Sequence, residues 1–271
     1  MSSSHPHGHE SPQRVLVVGA SRGLGASLLK QYTEGPSSTI VFGTARQGSP
    51  PTSGPQDVTW LPNIDVSGPE AGTSIVDGYK SHSNSPIDIL IITAGYFGKE
   101  SFDAPSYDAQ VSMYKISAIA PTLIVSALTA ANLLRTGSKV ILVSSESGSI
   151  TLRHESEGGG NFGHHASKAA LNMVGKLLSI DLKDKGVAVG LVHPGFMRTE
   201  MTKSVGFDKF WDDGGAVTPD EAAQSLAEWI DTFDISKTGE YWAPRGPGDI
   251  GTAEPVLGSK DKLSTPLQLP W

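Results

Sequence analysis

The segment RVLVVGASRGLG, residues 14–25, decides how this chain folds. A short run rich in valine and leucine stops at Gly19, and an apolar-periodic stretch from Leu24 to Tyr32 follows the glycines. A strand, a glycine-rich turn and a helix in this order begin a βαβ unit. The glycines let the backbone turn tightly and approach a pyrophosphate, whose charge then lies at the helix N-terminus. The segment therefore predicts a dinucleotide-binding turn.

The remaining chain alternates strand-like and helix-like segments. The predicted strands are 14–20, 38–46, 58–66, 87–95, 138–145, 187–195 and 240–244. The predicted helices are 24–32, 72–80, 106–135 with a break near Pro121, 166–185, and 219–233 with Thr218 as its N-cap. Alternation at this spacing implies a parallel sheet with right-handed crossovers. We therefore predict one doubly wound (Rossmann) α/β domain over residues 13–271, with a parallel sheet of about seven strands flanked by helices.

The composition limits the kinds of partner. The 271-residue chain has a net charge of −7 and no basic run, which disfavours a nucleic-acid or anionic-membrane partner. No apolar stretch is expected to reach the roughly 18 residues that cross a bilayer, and the N-terminus lacks the features of a secretory signal. The absence of cysteine excludes disulfides, thiolate catalysis and cysteine-ligated zinc. We expect a cytoplasmic protein.

Two segments are predicted to lack regular structure. Residues 1–12 are interpreted as a disordered tail, and the histidines at positions 5, 7 and 9 as part of it rather than as a metal site. No metal is therefore predicted. Residues 243–260 are rich in proline and glycine, which disfavours regular elements there.

The glycine spacing GxxxGxG over residues 19–25 is similar to that of the short-chain dehydrogenase/reductase superfamily, and the resemblance covers nearly the whole chain. Thr93-Ala94-Gly95 stands where that family usually has an Asn-Ala-Gly turn. The sequence HPGFMRTEM (193–201) and the C-terminal LPW resemble the branch of small carbonyl reductases and C-factor-like proteins. The resemblance implies a nicotinamide dinucleotide as the cofactor.

The resemblance also assigns cofactor contacts to particular residues. Asp65-Val66 resembles the pair that contacts the adenine, and Pro194-Gly195 with Thr199 resembles the loop that closes over the nicotinamide. The residues assigned to the cofactor in this way are Gly19, Ser21, Arg22, Gly23, Leu24, Gly25, Arg46, Asp65, Val66, Ala94, Gly95, Lys168, Pro194, Gly195, Met197 and Thr199.

Two arginines favour NADP(H) over NAD(H). Arg22 lies inside the glycine turn, and Arg46 follows the second predicted strand, where a 2′-phosphate would lie. NAD-specific relatives carry an acid near that strand end, and residues 44–47 contain none. A charge-assisted hydrogen bond contributes roughly 1.5–3 kcal/mol, enough to set the preference. The alternative is that both arginines are solvated surface side chains.

The resemblance implies a catalytic serine, tyrosine, lysine and asparagine, and this chain departs from it at two of the four positions. The serine corresponds to Ser145 and the lysine to Lys168. His164 occupies the tyrosine position and Ser117 the asparagine position. His164 lies one helical turn before Lys168 on the same face. No tyrosine lies between residues 115 and 240, so none can take the place of the missing one.

The histidine leaves the reaction type open. A nearby ammonium lowers the pKa of an imidazole, so His164 would be largely neutral near pH 7. Its N–H would then donate a proton less readily than a tyrosine, and the reduction of reactive carbonyls or quinones, which needs little protonation, would be slowed least. The first hypothesis is therefore an NADPH-dependent reductase of a small carbonyl or quinone-like metabolite. The second is a redox-neutral isomerase, lyase or cyclase that uses His164 as acid or base. The third is a non-catalytic NADP(H)-sensing protein.

Three further segments carry expectations. The loop Arg153–Glu157 supplies either acid/base groups or a salt-bridged surface. The aromatic and glycine residues of 204–215 form either a substrate lid or core packing. The helices 106–135 and 161–185 are those through which the family usually pairs subunits, so the resemblance implies a homodimer.

Overall fold

The computed structural model describes residues 11–35, 39–52 and 54–271. Its strands are β1 (Gln13–Val18), β2 (Thr39–Thr44), β3 (Val58–Leu61), β4 (Ile89–Ile92), β5 (Lys139–Val143), β6 (Ala188–Val192), β7 (Tyr241–Ala243) and β8 (Leu267–Gln268). Its α-helices are α1 (Gly23–Thr33), α2 (Ala71–Lys80), α3 (Tyr107–Tyr114), α4 (Ala120–Ala130), α5 (Phe162–Lys183), α6 (Glu200–Ser204), α7 (Pro219–Thr232) and α8 (Ala253–Leu257). Most of the predicted tail, residues 1–10, lies outside the described residues.

The strands form one sheet in the order β3-β2-β1-β4-β5-β6-β7-β8. The first seven strands pair in parallel, and β8 pairs with β7 in antiparallel register. The β4 and β6 strands are buried along their whole length, as strands covered by helices on both faces must be. The single doubly wound α/β fold predicted from the sequence is confirmed.

Helices cover both faces of the sheet and close two apolar cores. On one face α2, α4 and α5 pack over the strands around Tyr79, Ile124 and Leu178. On the other face α1 and α7 pack over the alternate strand side chains around Leu28 and Trp229. The strand order reverses between β1 and β4, so a crevice opens where their carboxyl ends diverge.

The predicted break near Pro121 takes the form of a π-helical turn, Lys115–Ile119, between α3 and α4. Pro121 has no N–H with which to bond the carbonyl of Ser117, four residues earlier. Just before it, Ala120 N–H donates to the carbonyl of Lys115, five residues back, which is the π-helical spacing. The α3 and α4 segments therefore join through one extra residue.

The C-terminal region is more regular than the sequence indicates. The prediction that 243–260 has no regular structure is wrong for Ala253–Leu257, which form α8. A helix of five residues gives no periodic signal. The sheet also gains β8, two residues long, whose partner is β7. The parallel part of the sheet has the seven strands expected.

The expectation about apolar runs was too strict. Among the described residues one helical run, Tyr107–Ala130, is long and apolar enough to cross a membrane by length and composition, with a mean hydropathy of 1.5. Within its most apolar stretch of 18 residues, 44% is buried inside the protein. The helix packs against α2 and α5, so a substantial part of its apolar surface belongs to the core.

Candidate active site

One cavity of about 1010 Å³ opens at the carboxyl ends of the strands. All sixteen residues that the resemblance assigns to a cofactor line it, as do Ser145 and His164. Ser117 does not line this cavity, although the neighbouring Ile116 does. The Ser117 side chain is 1% exposed, and its Oγ has no hydrogen-bond partner among the described residues.

The glycine turn at the entrance to α1 leaves no room for side chains. Gly19 has φ of +88°, and a Cβ there would lie 2.6 Å from the nitrogen of Ala94. A Cβ on Gly25 would lie 2.2 Å from the carbonyl oxygen of Gly19. Glycine at these two positions therefore lets the turn pack closely against the chain, and the turn places the N-terminus of α1 at the cavity, which fits a pyrophosphate.

Arg22 and Arg46 both line the cavity. Asp65 accepts hydrogen bonds from the N–H and hydroxyl of Ser67 at 2.9 and 2.8 Å. These two bonds lower the pKa of Asp65, and the nearby charge of Arg46 adds to the effect. Arg46 and an ionised Asp65 are therefore close neighbours at this end of the cavity.

Lys168 and Ser145 lie at the inner end of the cavity. Lys168 is 7% exposed, and its Nζ donates a hydrogen bond of 2.8 Å to the carbonyl of Val143. Burial lowers the pKa of Lys168 to about 8. Ser145 Oγ accepts from the N–H of Ser147 at 3.2 Å, while its carbonyl accepts from the hydroxyl of Tyr241. Both side chains are thus fixed by the backbone around the end of β5.

His164 is buried against an aromatic ring. Its imidazole stacks on the phenyl ring of Phe97, with centroids 4.0 Å apart and planes inclined by 15°. Burial is the main cause that holds the pKa of His164 well below its ordinary value, and the charge of Lys168 adds to it. The Nδ1 atom is buried without a partner among the described residues. A neutral imidazole therefore faces the cavity.

The loop after β4 holds the start of α5, and sequence reasoning missed its role. Phe97 supports His164 from below, and Glu100 accepts hydrogen bonds from the N–H of Gly163 and from Gln110 Nε2, the latter at 2.8 Å. Burial opposes ionisation of Glu100, but these bonds lower its pKa. The carboxylate therefore lies at the helix N-terminus, where the helix dipole also favours it.

Arg153 ties the loop before α5 to the end of β5. It pairs with Glu146 and, at 2.7 Å, with Glu157. The salt-bridged alternative for this loop is therefore what the structure contains. Glu146 and Glu157 nevertheless line the cavity, and burial raises the pKa of Glu157.

Asp249 is a second side chain that sequence reasoning missed. It is 3% exposed and accepts a hydrogen bond of 2.8 Å from the N–H of Phe196. His193 and Arg245 each approach one of its oxygens at 3.7 Å. The carboxylate thus braces the Pro194-Gly195 turn from behind.

Segment 204–215 borders the same cavity, as the lid interpretation expects. Phe207, Phe210 and Trp211 all line it, and Gly206 and Gly215 have positive φ of 81° and 70°. Among the described residues no group of three or more histidine, aspartate or glutamate side chains is arranged to hold a metal ion.

The fold and the cavity define a dinucleotide-binding α/β protein. Residues 13–209 match the family model of the short chain dehydrogenases, so the chain belongs to that family of oxidoreductases. The superfamily membership expected from the glycine spacing is confirmed.

Individual relatives agree with this assignment. The chain is 29% identical over 227 residues to 1-hydroxy-2-glutathionyl-2-methyl-3-butene dehydrogenase of Rhodococcus sp. strain AD45, covering 84% of this chain and 94% of the relative. It is 34% identical over 119 residues to C-signal of Myxococcus xanthus, covering 43% of this chain and 69% of the relative. The structure of NADPH-bound carbonyl reductase from chicken fatty liver matches with a TM-score of 0.74 at 21% identity, over 85% of this chain and 91% of the other.

Proposed function

We propose that this protein is an NADP(H)-dependent reductase of small carbonyl or quinone-like compounds. The observation that carries the proposal is the convergence of Ser145, His164 and Lys168 with every assigned cofactor residue in one cavity. The glycine turn, Arg22 and Arg46 fit a phosphorylated dinucleotide, and the carbonyl reductase matched above was solved with NADPH. The cofactor supplies the hydride, and the chain supplies the polar groups around the carbonyl oxygen.

Each polar group has a distinct task in this proposal. The hydroxyl of Ser145 donates a hydrogen bond to the substrate oxygen. The ammonium of Lys168 binds the ribose hydroxyls and adds to the burial that keeps the neighbouring imidazole neutral. Because Nδ1 of His164 is enclosed, Nε2 is the nitrogen through which this residue would donate to the oxygen. The substrate carbonyl takes up the hydride at carbon and one proton at oxygen, which gives the alcohol.

A neutral imidazole sets the range of substrates. Its N–H is a weaker acid than a phenol, so it stabilises a developing alkoxide by hydrogen bonding and transfers the proton late. General acid catalysis contributes on the order of 10²- to 10⁴-fold, and a weak donor forfeits part of it. Reactive ketones, dicarbonyls and quinones, which accept a hydride with little help, are therefore the expected substrates.

A redox-neutral reaction is the second candidate, because Glu146 and Glu157 line the cavity together with His164. Burial raises the pKa of Glu157 and so favours its protonated, acidic form, while the ion pair with Arg153 opposes this. In this alternative the nucleotide is structural and His164 acts as base.

A calorimetric titration with NADPH, and with NADH in parallel, tests the proposal. We expect selective binding of NADPH, and we expect Arg46→Asp to shift affinity toward NADH. NADPH oxidation with reactive dicarbonyls then tests turnover. Absence of binding by both nucleotides contradicts the reductase and leaves the redox-neutral alternative. Equal loss for both nucleotides in the variant assigns Arg46 to the fold alone.

We also propose that the protein is a homodimer. The α5 helix carries an exposed apolar stripe on one face, formed by Met173, Leu177 and Ile180, with exposures of 60%, 53% and 61%. Ile119, at the junction of the π-helical turn and α4, is 52% exposed as well. Apolar surface of this kind is typical of an interface between subunits.

A further inference from the structure

We propose that the carbonyl substrate is a planar, multi-ring aromatic compound. This inference rests on the proposed reductase function and narrows its substrate class. Of the chain's 19 aromatic side chains, counted as 8 phenylalanines, 6 tyrosines and 5 tryptophans, six line the cavity. They are Tyr96, Phe97, Phe196, Phe207, Phe210 and Trp211. The lining is therefore richer in aromatic side chains than the chain as a whole, in which they make up 7% of the residues.

The rings form a continuous path from the reaction centre to the surface. His164 stacks on Phe97 at 4.0 Å. Phe97 meets Phe207 edge to face, with centroids 5.6 Å apart, and Phe207 meets Phe210 at 6.2 Å. Phe97 is 8% exposed whereas Phe210 is 49% exposed, so the path ends in solvent. A flat ligand that reaches Nε2 of His164 with its carbonyl would lie along this path.

Two of the aromatic side chains that line the cavity, Trp211 and Phe210, make contacts with polar groups that restrict their motion. Trp211 Nε1 donates to Thr202 Oγ1 at 3.2 Å. The ammonium of Lys209 lies 4.7 Å from the centroid of the Phe210 ring. Fixed rings lose little conformational freedom when a ligand binds, which favours stacking and edge-to-face contacts over the adaptable packing that aliphatic ligands use.

Part of the aliphatic lining belongs to the residues assigned to the cofactor. Leu24 and Val66 are among those residues, and Ile64 directly precedes the assigned pair Asp65-Val66. Apart from Ile64, the branched aliphatic and thioether side chains that line the cavity without being assigned to the cofactor are Ile116, Val143 and Met201. Thioethers also make favourable contacts with aromatic rings. The lining therefore matches a ligand with aromatic faces and edges.

The test compares two ketones with the same carbon skeleton, 2-acetylnaphthalene and its saturated-ring counterpart 2-acetyldecalin. Dissociation constants are measured by calorimetry on the protein with NADP⁺, where no hydride can be transferred, and on the protein alone. We expect the aromatic ketone to bind about tenfold more tightly, since each aromatic contact adds a few-fold in affinity. Equal or tighter binding of the decalin overturns the inference.

Phe207→Leu supplies the second arm. It removes the central ring of the path, so the preference for the aromatic ketone should fall about 3- to 10-fold. Phe102→Leu is the matched control, because Phe102 is 83% exposed and does not line the cavity. An unchanged preference in Phe207→Leu also overturns the inference.

NADPH oxidation with reactive aliphatic dicarbonyls and with a multi-ring quinone separates this inference from the proposed function, because these compounds, unlike the two ketones, accept a hydride with little help. Tight, aromatic-selective binding without any turnover retains the substrate class and contradicts the reductase. Turnover of reactive aliphatic dicarbonyls without aromatic selectivity retains the reductase and contradicts the substrate class. Absence of both contradicts both.

Discussion

His164 and Lys168 lie one turn apart in α5, and each alters the protonation of the site. The buried imidazole is neutral, and the buried ammonium has a pKa of about 8. A neutral donor beside a cation suits transfer of negative charge to a substrate oxygen, but it provides a weak acid. We therefore expect these two residues to influence both the rate and the pH range of the proposed reaction.

Substitution of His164 distinguishes the candidate reactions. We expect His164→Tyr to raise the rate of carbonyl reduction roughly tenfold, because a phenol is a stronger acid than a neutral imidazole N–H. This factor lies within the contribution that general acid catalysis usually makes. Steady-state NADPH oxidation measures the effect. The same change should abolish a redox-neutral reaction that needs the imidazole as base. His82→Tyr, outside the cavity, is the control.

Lys168 should leave a signature in the pH dependence of stability. Its pKa is about 8 in the folded protein and 10.5 otherwise, so the unfolded chain binds more protons between these values and the folded state gains stability as the pH rises through them. From pH 8 to pH 10.5 the free energy of unfolding of the wild type, relative to that of Lys168→Met, should rise by at most about 3 kcal/mol. Below pH 8 this difference should not change with pH.

Urea unfolding at a series of pH values measures this difference. Lys183→Met provides the matched control, because Lys183 is an exposed lysine at the end of the same helix. A stability difference between wild type and Lys168→Met that stays constant across pH 8–10.5 would contradict the lowered pKa of Lys168.

Among the elements, the segment after β7 supports the Pro194-Gly195 turn through Asp249. Asp249→Ala should lower the free energy of unfolding by about 1–3 kcal/mol, because the buried N–H of Phe196 loses its acceptor. It should also weaken NADPH binding, since the Pro194-Gly195 turn loses its brace. Asp249→Asn keeps an acceptor oxygen and should retain most of both properties. Thermal unfolding and calorimetry measure the two effects, and equal damage in both variants would contradict a bracing role.

Long or uniformly apolar elements were predictable from the sequence. Strands such as β4 and β6 are uniformly apolar, and the 22-residue α5 has strong periodicity that places His164 and Lys168 on one buried face. The glycine turn was identifiable because it lies between a strand and a helix. Short elements such as α8 and β8 have too few residues to show a period.

The contacts that support the site were not predictable. Glu100 holds Gly163 across 63 residues of sequence, and Asp249 holds Phe196 across 53. Each is a single polar residue in an irregular loop, where neither hydrophobic periodicity nor a motif marks its partner. Phe97 gave only a weak signal, an aromatic residue two positions after the Ala94-Gly95 turn.

For the molecule as a whole, the proposed homodimer can be tested directly. Leu177→Glu places a charge in the exposed stripe of α5, and burying it in an interface would cost several kcal/mol, so we expect monomers. Sedimentation velocity measures the change. Ile235→Glu, at a residue 41% exposed outside these helices, should sediment as the wild type does. A monomeric wild type would rule out the homodimer.

The π-helical turn Lys115–Ile119 also constrains how this protein can vary in length. In an unbroken α-helix one surplus residue would rotate everything beyond it by about 100° about the helix axis. The wider π-turn absorbs that residue, so α3 can contact α5 while α4 contacts α2 without such a rotation. Deleting one residue there would leave an unbroken α-helix whose two halves keep nearly the same partners. A one-residue deletion should therefore be tolerated better in this turn than within α3 or α4, where it would turn one half of the helix against the other.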